Sequence, residues 1–492
     1  MRAVLGVDIG TSSSKGVLVD FSGNIIASTT REHAVEHPHP GWAEMEMTQW
    51  WDEFCSISRE LVGEHEIAAV ATSGMGPCVG VADADGVPLR PAILYGIDGR
   101  AVEQIARMTT ELGDAAIVER GGSSLSTQAV GPKLAWLAHH EPHVFGRARK
   151  LFMPASWLVY QLTGRYVLDH HSASQSSPMY DTIACEWFED WALPLAGNIE
   201  LPELVWSDEV VGTVGTGASL ATGLPEGIPV VAGTIDAWAE AISVGAHTPG
   251  TLMIMYGTTM FFVNTTEDRL IVDSLWSTVG AFSGSRSIAA GMATSGAITS
   301  WLRHLLGDPS HEQLVDSAAA SPAGSNGLLA LPYFAGERTP IADPDARGMF
   351  AGLTVEHGVG DLYRSILEAT AFGVRHNIAA MSAGGAAPHR VVSVGGGTQS
   401  TLWTQIVSDV TGVRQELPRV TIGASYGSAF LAASAVEPVD ITTWNPVARV
   451  VKPNPDLSGV YGLLYGLYLE LYEATSHISH QLAAIQRSSA RF

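Results

Sequence analysis

Short apolar runs separated by polar turns open the chain. Residues 3–7 and 16–19 are continuous apolar stretches of strand length, and the polar segment between them is short enough for a hairpin turn. A turn at residues 21–24 leads into a third run, residues 25–29. This pattern predicts three sequential antiparallel strands, which is how a mixed β-sheet begins.

Downstream, runs of strand length alternate with segments of helical periodicity. Residues 48–61 place Trp50, Trp51, Phe54 and Ile57 at helical spacing and predict a helix that faces the core. Further predicted elements in this half are helices over 133–140 and 156–163, strands over 67–72 and 228–232, and a loop over 212–223. The alternation favours the α/β class.

The pattern restarts after a break at residues 247–250. Residues 252–255 and 260–263 predict two strands, and the turn between them is again rich in glycine and hydroxyl residues. The other predicted elements of this half are strands over 288–293 and 391–394, each followed by a helix, and an amphipathic packing helix over 460–482. The repeat predicts a duplicated fold with domains at 1–247 and 248–492.

Size and charge narrow the possible functions. At 492 residues the chain is too long for one hydrophobic core, which also predicts two large domains. The formal net charge of −23 argues against nucleic acid or an anionic membrane as partner, because both require a basic surface. A bound nucleotide is still allowed, since backbone N–H groups and one magnesium ion can hold phosphates.

Cysteine usage and hydropathy indicate the cytoplasm. Cys55, Cys78 and Cys185 are widely separated and form no CxxC pair, so neither a disulfide framework nor a zinc site is predicted. Asp8 interrupts the apolar amino terminus, which is unlike a signal peptide. No run of 18 apolar residues suggests a membrane span.

Two histidine-rich stretches invite a metal hypothesis. His37 and His39 lie in a proline-rich segment, and His170 and His171 are adjacent. Neither stretch has further ligands at metal-site spacing, so all four are predicted to be surface residues.

The turn between the first two strands has the composition of a phosphate clamp. Gly10 allows close approach of the backbone to a ligand, successive N–H groups can form an anion-binding concavity, and Lys15 adds a positive charge. The hydroxyls of the turn are Thr11, Ser12, Ser13 and Ser14. Asp8, at the strand end, is placed to hold Mg²⁺ through water. The alternative is an ordinary polar hairpin turn.

An acid at a strand-to-helix junction is the candidate base. Asp236 follows the predicted strand 228–232 and opens a helix. The helix dipole favours the charged carboxylate there, so the residue is expected to stay ionised and to accept a proton from a hydroxyl. The alternative is a helix N-cap without chemistry.

Three other segments have glycine next to polar residues. The strand 67–72 ends in a glycine-rich segment at 73–77, where ligands sit in open α/β sheets, although an ordinary turn fits equally well. Asp98 and Arg100 flank Gly99. This segment is either a loop that faces a substrate or the start of a helix with Asp98 as its N-cap. The glycines at 395–397 allow backbone to lie against a planar or phosphorylated ligand.

These motifs together resemble the FGGY carbohydrate kinases, which share the fold of actin, sugar kinases and heat-shock chaperone ATPases. Residues 8–15 are similar to the first phosphate motif of that family, and residues 337–340 and 343–348 are similar to pentulose kinases. The second family signature is matched at Gly348, Phe350, Gly352, Leu353, Asp361, Leu362, Ser365, Ile366, Leu367 and Glu368. The resemblance runs almost end to end.

The resemblance implies two actin-like, ribonuclease H-like domains with a nucleotide cleft between them, and ATP and Mg²⁺ as cofactors. It implies that Asp236 is the general base toward a sugar hydroxyl and that Asp8 holds the metal. The residues it assigns to nucleotide binding are Gly10, Thr11, Ser12, Ser13, Lys15, Gly257, Thr258, Thr259, Gly296, Gly396 and Ser400. The resemblance is compatible with a homodimer and does not determine the oligomeric state.

The resemblance also implies a small sugar as substrate. Its assigned contacts are Met75, Gly76, Asp98, Arg100, Gln128 and Asp236. Gly76 and Pro77 stand where xylulose kinases carry a histidine, and the loop at 95–98 is one residue longer than usual. A ketopentose such as xylulose or ribulose is expected, with another ketose, a small polyol or gluconate as the alternative. A chaperone- or actin-type ATPase and a silent sugar-binding regulator are the other classes.

Overall fold

Two mixed β-sheets form the centre of the computed structural model, which describes residues 2–489. The strands in chain order are β1 Arg2–Ile9, β2 Ser13–Asp20, β3 Ile25–Glu32, β4 Glu44–Met45, β5 Glu66–Gly74, β6 Gly80–Ala82, β7 Ala92–Ile93, β8 Lys150–Phe152, β9 Val167–Asp169, β10 Tyr180–Asp181, β11 Glu186–Trp187, β12 Glu203–Val205, β13 Val210–Thr213, β14 Pro229–Ile235, β15 Thr251–Tyr256, β16 Met260–Thr266, β17 Trp276–Val279, β18 Arg286–Met292, β19 Leu329–Leu331, β20 Met349–Ala351, β21 Arg390–Val394, β22 Gln415–Pro418 and β23 Val447–Val451.

Helices cover the sheets and form the connections between their strands. They are α1 Met47–Val62, α2 Val102–Leu112, α3 Asp114–Gly121, α4 Val130–His140, α5 Pro142–Arg147, α6 Pro154–Thr163, α7 His170–Ser174, α8 Glu189–Ala196, α9 Thr216–Thr222, α10 Asp236–Ser243, α11 Gly296–Leu305, α12 His311–Ala320, α13 Val359–Ala383, α14 Thr401–Thr411, α15 Ala424–Ser434, α16 Ile441–Trp444 and α17 Ser458–Ser489. Short 3₁₀ turns lie at Ser325–Gly327, Gly396–Gln399 and Pro455–Leu457. No helix among residues 2–489 is both long and apolar enough to cross a bilayer.

The two large sheets repeat one topology. The first has the order β13-β14-β5-β1-β2-β3 and the second has the order β17-β18-β16-β15-β21-β22-β23. In each, three antiparallel strands lead to two parallel ones, so β1, β2, β3, β5 and β14 correspond to β15, β16, β18, β21 and β22. An antiparallel strand then follows at one edge, β13 in the first sheet and β23 in the second. This repeat confirms the predicted duplication of the fold.

One helix from the second half packs on the first sheet. In α15, Gly427 lies so close to α10 that an added Cβ would be 1.9 Å from the Ala239 carbonyl oxygen. Gly6 of β1 is equally crowded, with 2.1 Å between an added Cβ and the Ser425 carbonyl oxygen. Glycine at these positions allows α15 to approach both elements, which connects the halves beside the first hairpin. The division at residue 247 stays a prediction.

Two sequence-based predictions are wrong. The loop predicted over 212–223 contains the end of β13 and the short helix α9. Only Ala218 and Thr222 of that helix are buried, so it has too little apolar periodicity to be recognised. His171 was predicted at the surface, but its ring is fully buried, stacks on Trp238 at 3.7 Å between centroids and donates from Nδ1 to the Val279 carbonyl. Burial lowers the pKa of His171 to about 3, so it stays neutral.

Candidate active site

The turn between β1 and β2 forms one wall of a cleft at the end of the first sheet. Its backbone closes through a bond from the Gly10 N–H to the Ser13 carbonyl, 3.0 Å. The strand register places Asp8 opposite Lys15, so a carboxyl and an ammonium group flank the turn. The cleft has a volume of ≈ 220 Å³ and is lined by Asp8, Gly10, Thr11, Ser12, Ser13, Lys15, Asp236, Ala237, Glu240, Met255, Ile422 and Ala424.

Asp236 also lines this hairpin cleft. It is the first residue of α10, as predicted, and its carboxylate accepts the Ala237 N–H at 2.7 Å. Burial raises the pKa of Asp236 to about 6, an effect that the helix dipole by itself does not predict. The helix has only eight residues and the carboxyl is shielded from water, so desolvation outweighs the dipole. Near neutral pH the group is still mostly ionised, and its raised pKa makes it a stronger base than an exposed aspartate.

Three carboxyl groups share the hairpin cleft. Burial, followed by repulsion from Asp236, raises the pKa of both Asp8 and Glu240 to about 7. Ser73 Oγ donates to Asp8 at 2.8 Å and favours the ionised form of that acid, but it does not offset burial. Lys15 is the cation of the cleft, and its Nζ lies 3.5 Å from the Ile422 carbonyl. The cleft therefore has an excess of negative charge that a divalent cation would relieve.

The residues present fit a magnesium ion of the kind predicted. Carboxylate oxygens are the ligands Mg²⁺ prefers, and this ion usually keeps several waters while bound through one or two carboxylates and substrate phosphates. Accordingly, residues 2–489 contain no group of three or more histidine, cysteine or acidic side chains arranged as a complete metal site. Asp8, beside the phosphate turn, is a suitable single protein contact for a hydrated ion.

The turn between β15 and β16 repeats the first hairpin on the other half. The Gly257 N–H donates to the Thr259 carbonyl at 3.0 Å, and the Thr258 carbonyl accepts from Ser295 and Ala297. Gly296 opens α11 directly against this turn, where an added Cβ would lie 2.7 Å from the Gly257 carbonyl oxygen. Gly296 therefore allows the helix to pack closely on the hairpin. The family resemblance assigned Gly296 to nucleotide binding and did not predict this packing role.

The glycine triplet after β21 forms a second cleft, of ≈ 380 Å³. Its lining residues are Gly395, Gly396, Thr398, Gln399, Leu417, Pro418, Thr421, Ala448 and Arg449. Gly395 has a φ of 89°, and an added Cβ would lie 2.6 Å from the Tyr256 carbonyl oxygen, so glycine is required there. Ser400 instead caps α14 by accepting the Trp403 N–H, and its place as a nucleotide contact stays a prediction.

A third and larger cleft, of ≈ 750 Å³, lies between the halves. It is lined among others by Tyr95, Gln128, Thr259, Trp276, Glu337 and Arg338. Tyr95 connects it to the hairpin cleft through a 2.9 Å hydrogen bond between its hydroxyl and that of Thr11. Gln128 Oε1 accepts the Gly96 N–H at 2.9 Å, which fixes the side chain at the cleft wall.

Four other predicted substrate contacts are not among the residues that line these three clefts. Met75 is 1% exposed in the core, and Gly76 packs against Ile235. Asp98 and Arg100 are fully buried and paired at 2.7 Å. The guanidinium also stacks over Trp42 and pairs with Glu44, and the Asp98 carboxylate accepts the Ala43 N–H. Asp98 is not the N-cap of α2, which is Ala101. The role of all four toward a sugar stays a prediction.

Several residues at the site were missed from the sequence. Glu240 lies one helical turn after Asp236, so an i, i+4 search for acids would have found it. Burial raises the pKa of Glu337 to about 8, and its Oε1 accepts the N–H groups of Ala293 and Arg338. Arg338, the next residue, lines the large cleft together with Glu337. His33 and Glu53, behind the first hairpin, gave no sequence signal.

Comparison with known proteins confirms the predicted family and the two-domain α/β fold. Models of the N-terminal and C-terminal domains of the FGGY family of carbohydrate kinases match residues 3–243 and 252–436. The chain is 29% identical to a xylulose kinase from Staphylococcus epidermidis over 505 aligned residues, covering 98% of this chain and 99% of the relative. It is 28% identical to the xylulose kinase of Escherichia coli over 444 residues, covering 88% and 90%.

A solved structure agrees along the whole chain. The crystal structure of a xylulose kinase from Rhodospirillum rubrum has a TM-score of 0.91 to this structure at 31% identity, covering 97% of this chain and 100% of that one. Together with two sheets of one topology and a hairpin cleft that Asp236 lines, these matches establish the class of enzyme. The chain belongs to the FGGY family of carbohydrate kinases and is an ATP-dependent sugar kinase.

Proposed function

We propose that this kinase transfers the γ-phosphate of Mg·ATP to a hydroxyl of a ketopentose such as xylulose or ribulose, with Asp236 as general base. The observation that carries the proposal is the shared cleft, in which Asp236 and hairpin residues between Gly10 and Lys15 line one volume of ≈ 220 Å³. A base in hydrogen-bond reach of the acceptor hydroxyl is what such a transfer requires.

The remaining site residues divide the binding task between the halves. On the first half, the N–H and hydroxyl groups of the turn and the Lys15 ammonium would meet the β- and γ-phosphates. On the second half, Thr258 would meet the same phosphates, and the cleft at Gly395 and Gly396 would take the rest of the nucleotide. Mg²⁺ beside Asp8 would neutralise the charge that develops on the phosphoryl oxygens. Closure of the halves on both substrates would exclude water and limit ATP hydrolysis.

The names of the relatives and the lining of the large cleft support the proposed substrate class. Both relatives and the solved structure are named xylulose kinase. Gln128 and the aromatic ring of Trp276 provide polar and apolar contacts that suit a small polyhydroxylated ligand. The altered segments at 73–77 and 95–98 leave a different ketose, a small polyol or gluconate as the alternative substrate.

ADP release from Mg·ATP should depend on sugar and be largest with a ketopentose. The assay compares xylulose, ribulose, ketohexoses, tetroses, glycerol and gluconate, and mass spectrometry identifies the phosphorylated product. A single strong response to gluconate or glycerol would overturn the ketopentose assignment while leaving phosphoryl transfer intact. A rate of ADP release that no sugar changes would contradict the proposed reaction and favour an ATPase.

Replacing Asp8 by asparagine is expected to raise the Mg²⁺ concentration for half-maximal activity by about 10–100-fold, the usual cost of losing an outer-sphere metal contact. The amide keeps the shape and accepts the Ser73 hydroxyl but brings no charge to the ion. Titration of Mg²⁺ at saturating ATP measures the effect, with the exposed Asp52→Asn on α1 as the matched control. An unchanged Mg²⁺ dependence would remove Asp8 from the metal site.

A further inference from the structure

A buried histidine holds the first hairpin from the side away from the cleft. His33 directly follows β3, and its side chain is 2% exposed. Its backbone N–H donates to the Ser12 carbonyl at 3.1 Å, and its ring Nε2 lies 3.0 Å from the Gly10 carbonyl oxygen. Backbone and side chain of one residue therefore contact both ends of the turn.

The second ring nitrogen of His33 faces a carboxylate. Its Nδ1 lies 2.9 and 3.2 Å from the two oxygens of Glu53 on α1. Those oxygens also accept Ser14 Oγ at 2.5 Å and Gln49 Nε2 at 2.9 Å. Burial opposes ionisation of Glu53, but its bonds from His33, Ser14 and Gln49 outweigh burial, and its pKa lies below the usual value.

This arrangement requires a positively charged ring. A carbonyl oxygen and an ionised carboxylate only accept hydrogen bonds, so both nitrogens of His33 must carry protons. A neutral ring would leave either the Gly10 carbonyl or Glu53 facing a lone pair. The hydrogen bond to Glu53 raises the pKa of His33 above its usual 6.5, against the opposite effect of burial.

The surroundings contain one charged partner for this ring. Glu53 faces it from α1, and the hairpin presents only the backbone carbonyls of Gly10 and Thr11. On β3 itself, the Arg31 guanidinium turns away to pair with Glu60. Among the described residues, then, the charge of His33 depends on Glu53 and not on a wider network.

The contact with Gly10 has a consequence for the cleft. In a planar trans peptide the C=O and the following N–H point in opposite directions, so a Gly10 carbonyl held toward His33 directs the Thr11 N–H away from it. Thr11 lines the hairpin cleft. We propose that the His33 imidazolium, paired with Glu53, is a proton-dependent clamp that aims the hairpin N–H groups at the ATP phosphates. This rests on the proposed phosphate-binding role of the hairpin.

Binding of Mg·ATP without sugar tests the clamp independently of catalysis. His33→Ala should raise the Kd for ATP by about 10–100-fold, as expected for losing a charged hydrogen bond that orients the site. In the parent protein the Kd should rise as pH increases through the pKa of His33. His33→Gln places an amide N–H near the ring Nε2 position at every pH, so its Kd should stay near the parent value at neutral pH and lose the alkaline rise. The control is His376→Gln, which replaces a half-buried histidine on α13.

Nitrogen-15 NMR of the histidine rings gives a second readout, with the His33 signal assigned from its absence in His33→Gln. At pH 6.5 most His33 rings should carry a proton on both nitrogens, and Glu53→Gln should lower the pH at which one proton is lost. A mostly neutral His33 ring at pH 6.5, or an unchanged Kd in His33→Ala, would overturn the clamp. If the parent protein binds ATP but phosphorylates no sugar, the proposed reaction fails while these two readouts still decide on the clamp.

Discussion

Asp236→Asn should lower kcat by ~10²–10⁴-fold, the usual contribution of a general base, while ATP and sugar still bind. The amide keeps the shape of the carboxyl and its oxygen still accepts the Ala237 N–H, so the start of α10 should not change. The variant cannot accept a proton from the sugar hydroxyl. Steady-state ADP release measures kcat, and calorimetric titration measures the two affinities.

The same prediction has a pH dependence of defined sign. Burial raises the pKa of Asp236 to about 6, and the base acts only when deprotonated. Activity should therefore fall as pH drops through about 6, and this limb should be missing in the residual activity of Asp236→Asn. Asp190→Asn, an exposed acid in the first turn of α8, should leave kcat unchanged. Turnover close to that of the parent protein would exclude Asp236 as the base.

Gly233→Ala is the second change expected to have a large effect, a loss of about 2–4 kcal/mol in the free energy of unfolding together with reduced kcat. Gly233 has a φ of 70°, and an added Cβ would lie 1.8 Å from the Thr72 carbonyl oxygen. Its position coincides with a shift in the pairing of β14 with β5 between Val231 and Thr234. This bulge redirects the strand just before Asp236, so relieving the clash must move the base.

The measurement for Gly233→Ala is urea unfolding combined with ADP release. Gly217→Ala is the matched control, because Gly217 lies in α9 with no atom within 4 Å of an added Cβ. That change should be neutral or slightly stabilising, since alanine favours helix over glycine. Equal stability and turnover in Gly233→Ala would show that β14 and β5 can separate without consequence, contrary to the proposed role of the bulge.

The local sequence predicted the strands and helices and much of the candidate site. The hairpin of β1 and β2, the strand before Asp236, the second hairpin and α17 all follow from apolar periodicity and turn composition, which act within a few residues. The family motifs located the candidate phosphate turn and Asp236 for the same reason, because each motif is contiguous. The structure places these residues in one cleft, as expected.

Other parts of the site depend on contacts between distant segments. The sequence around Asp98 and Arg100 does not show whether these two side chains contact a substrate or each other. Their burial beside Glu44 and Trp42 is decided by how the loop at 41–45 packs. His171 was misplaced because burial of a short helix against Trp238 leaves no periodic pattern. The raised pKa of Asp236 did not follow from the sequence, because desolvation depends on the whole cleft, whereas the helix dipole is local.

The sequence by itself determined the duplicated α/β fold, the two hairpins, the family and the candidate base, because apolar periodicity, turn chemistry and contiguous motifs are written over short stretches. Only the tertiary structure decided which acids share the cleft, how far burial raises their pKa values, and how His33 and Glu53 hold the hairpin. Those properties arise from residues far apart in the chain that meet only when α1, α10 and α15 pack on the first sheet.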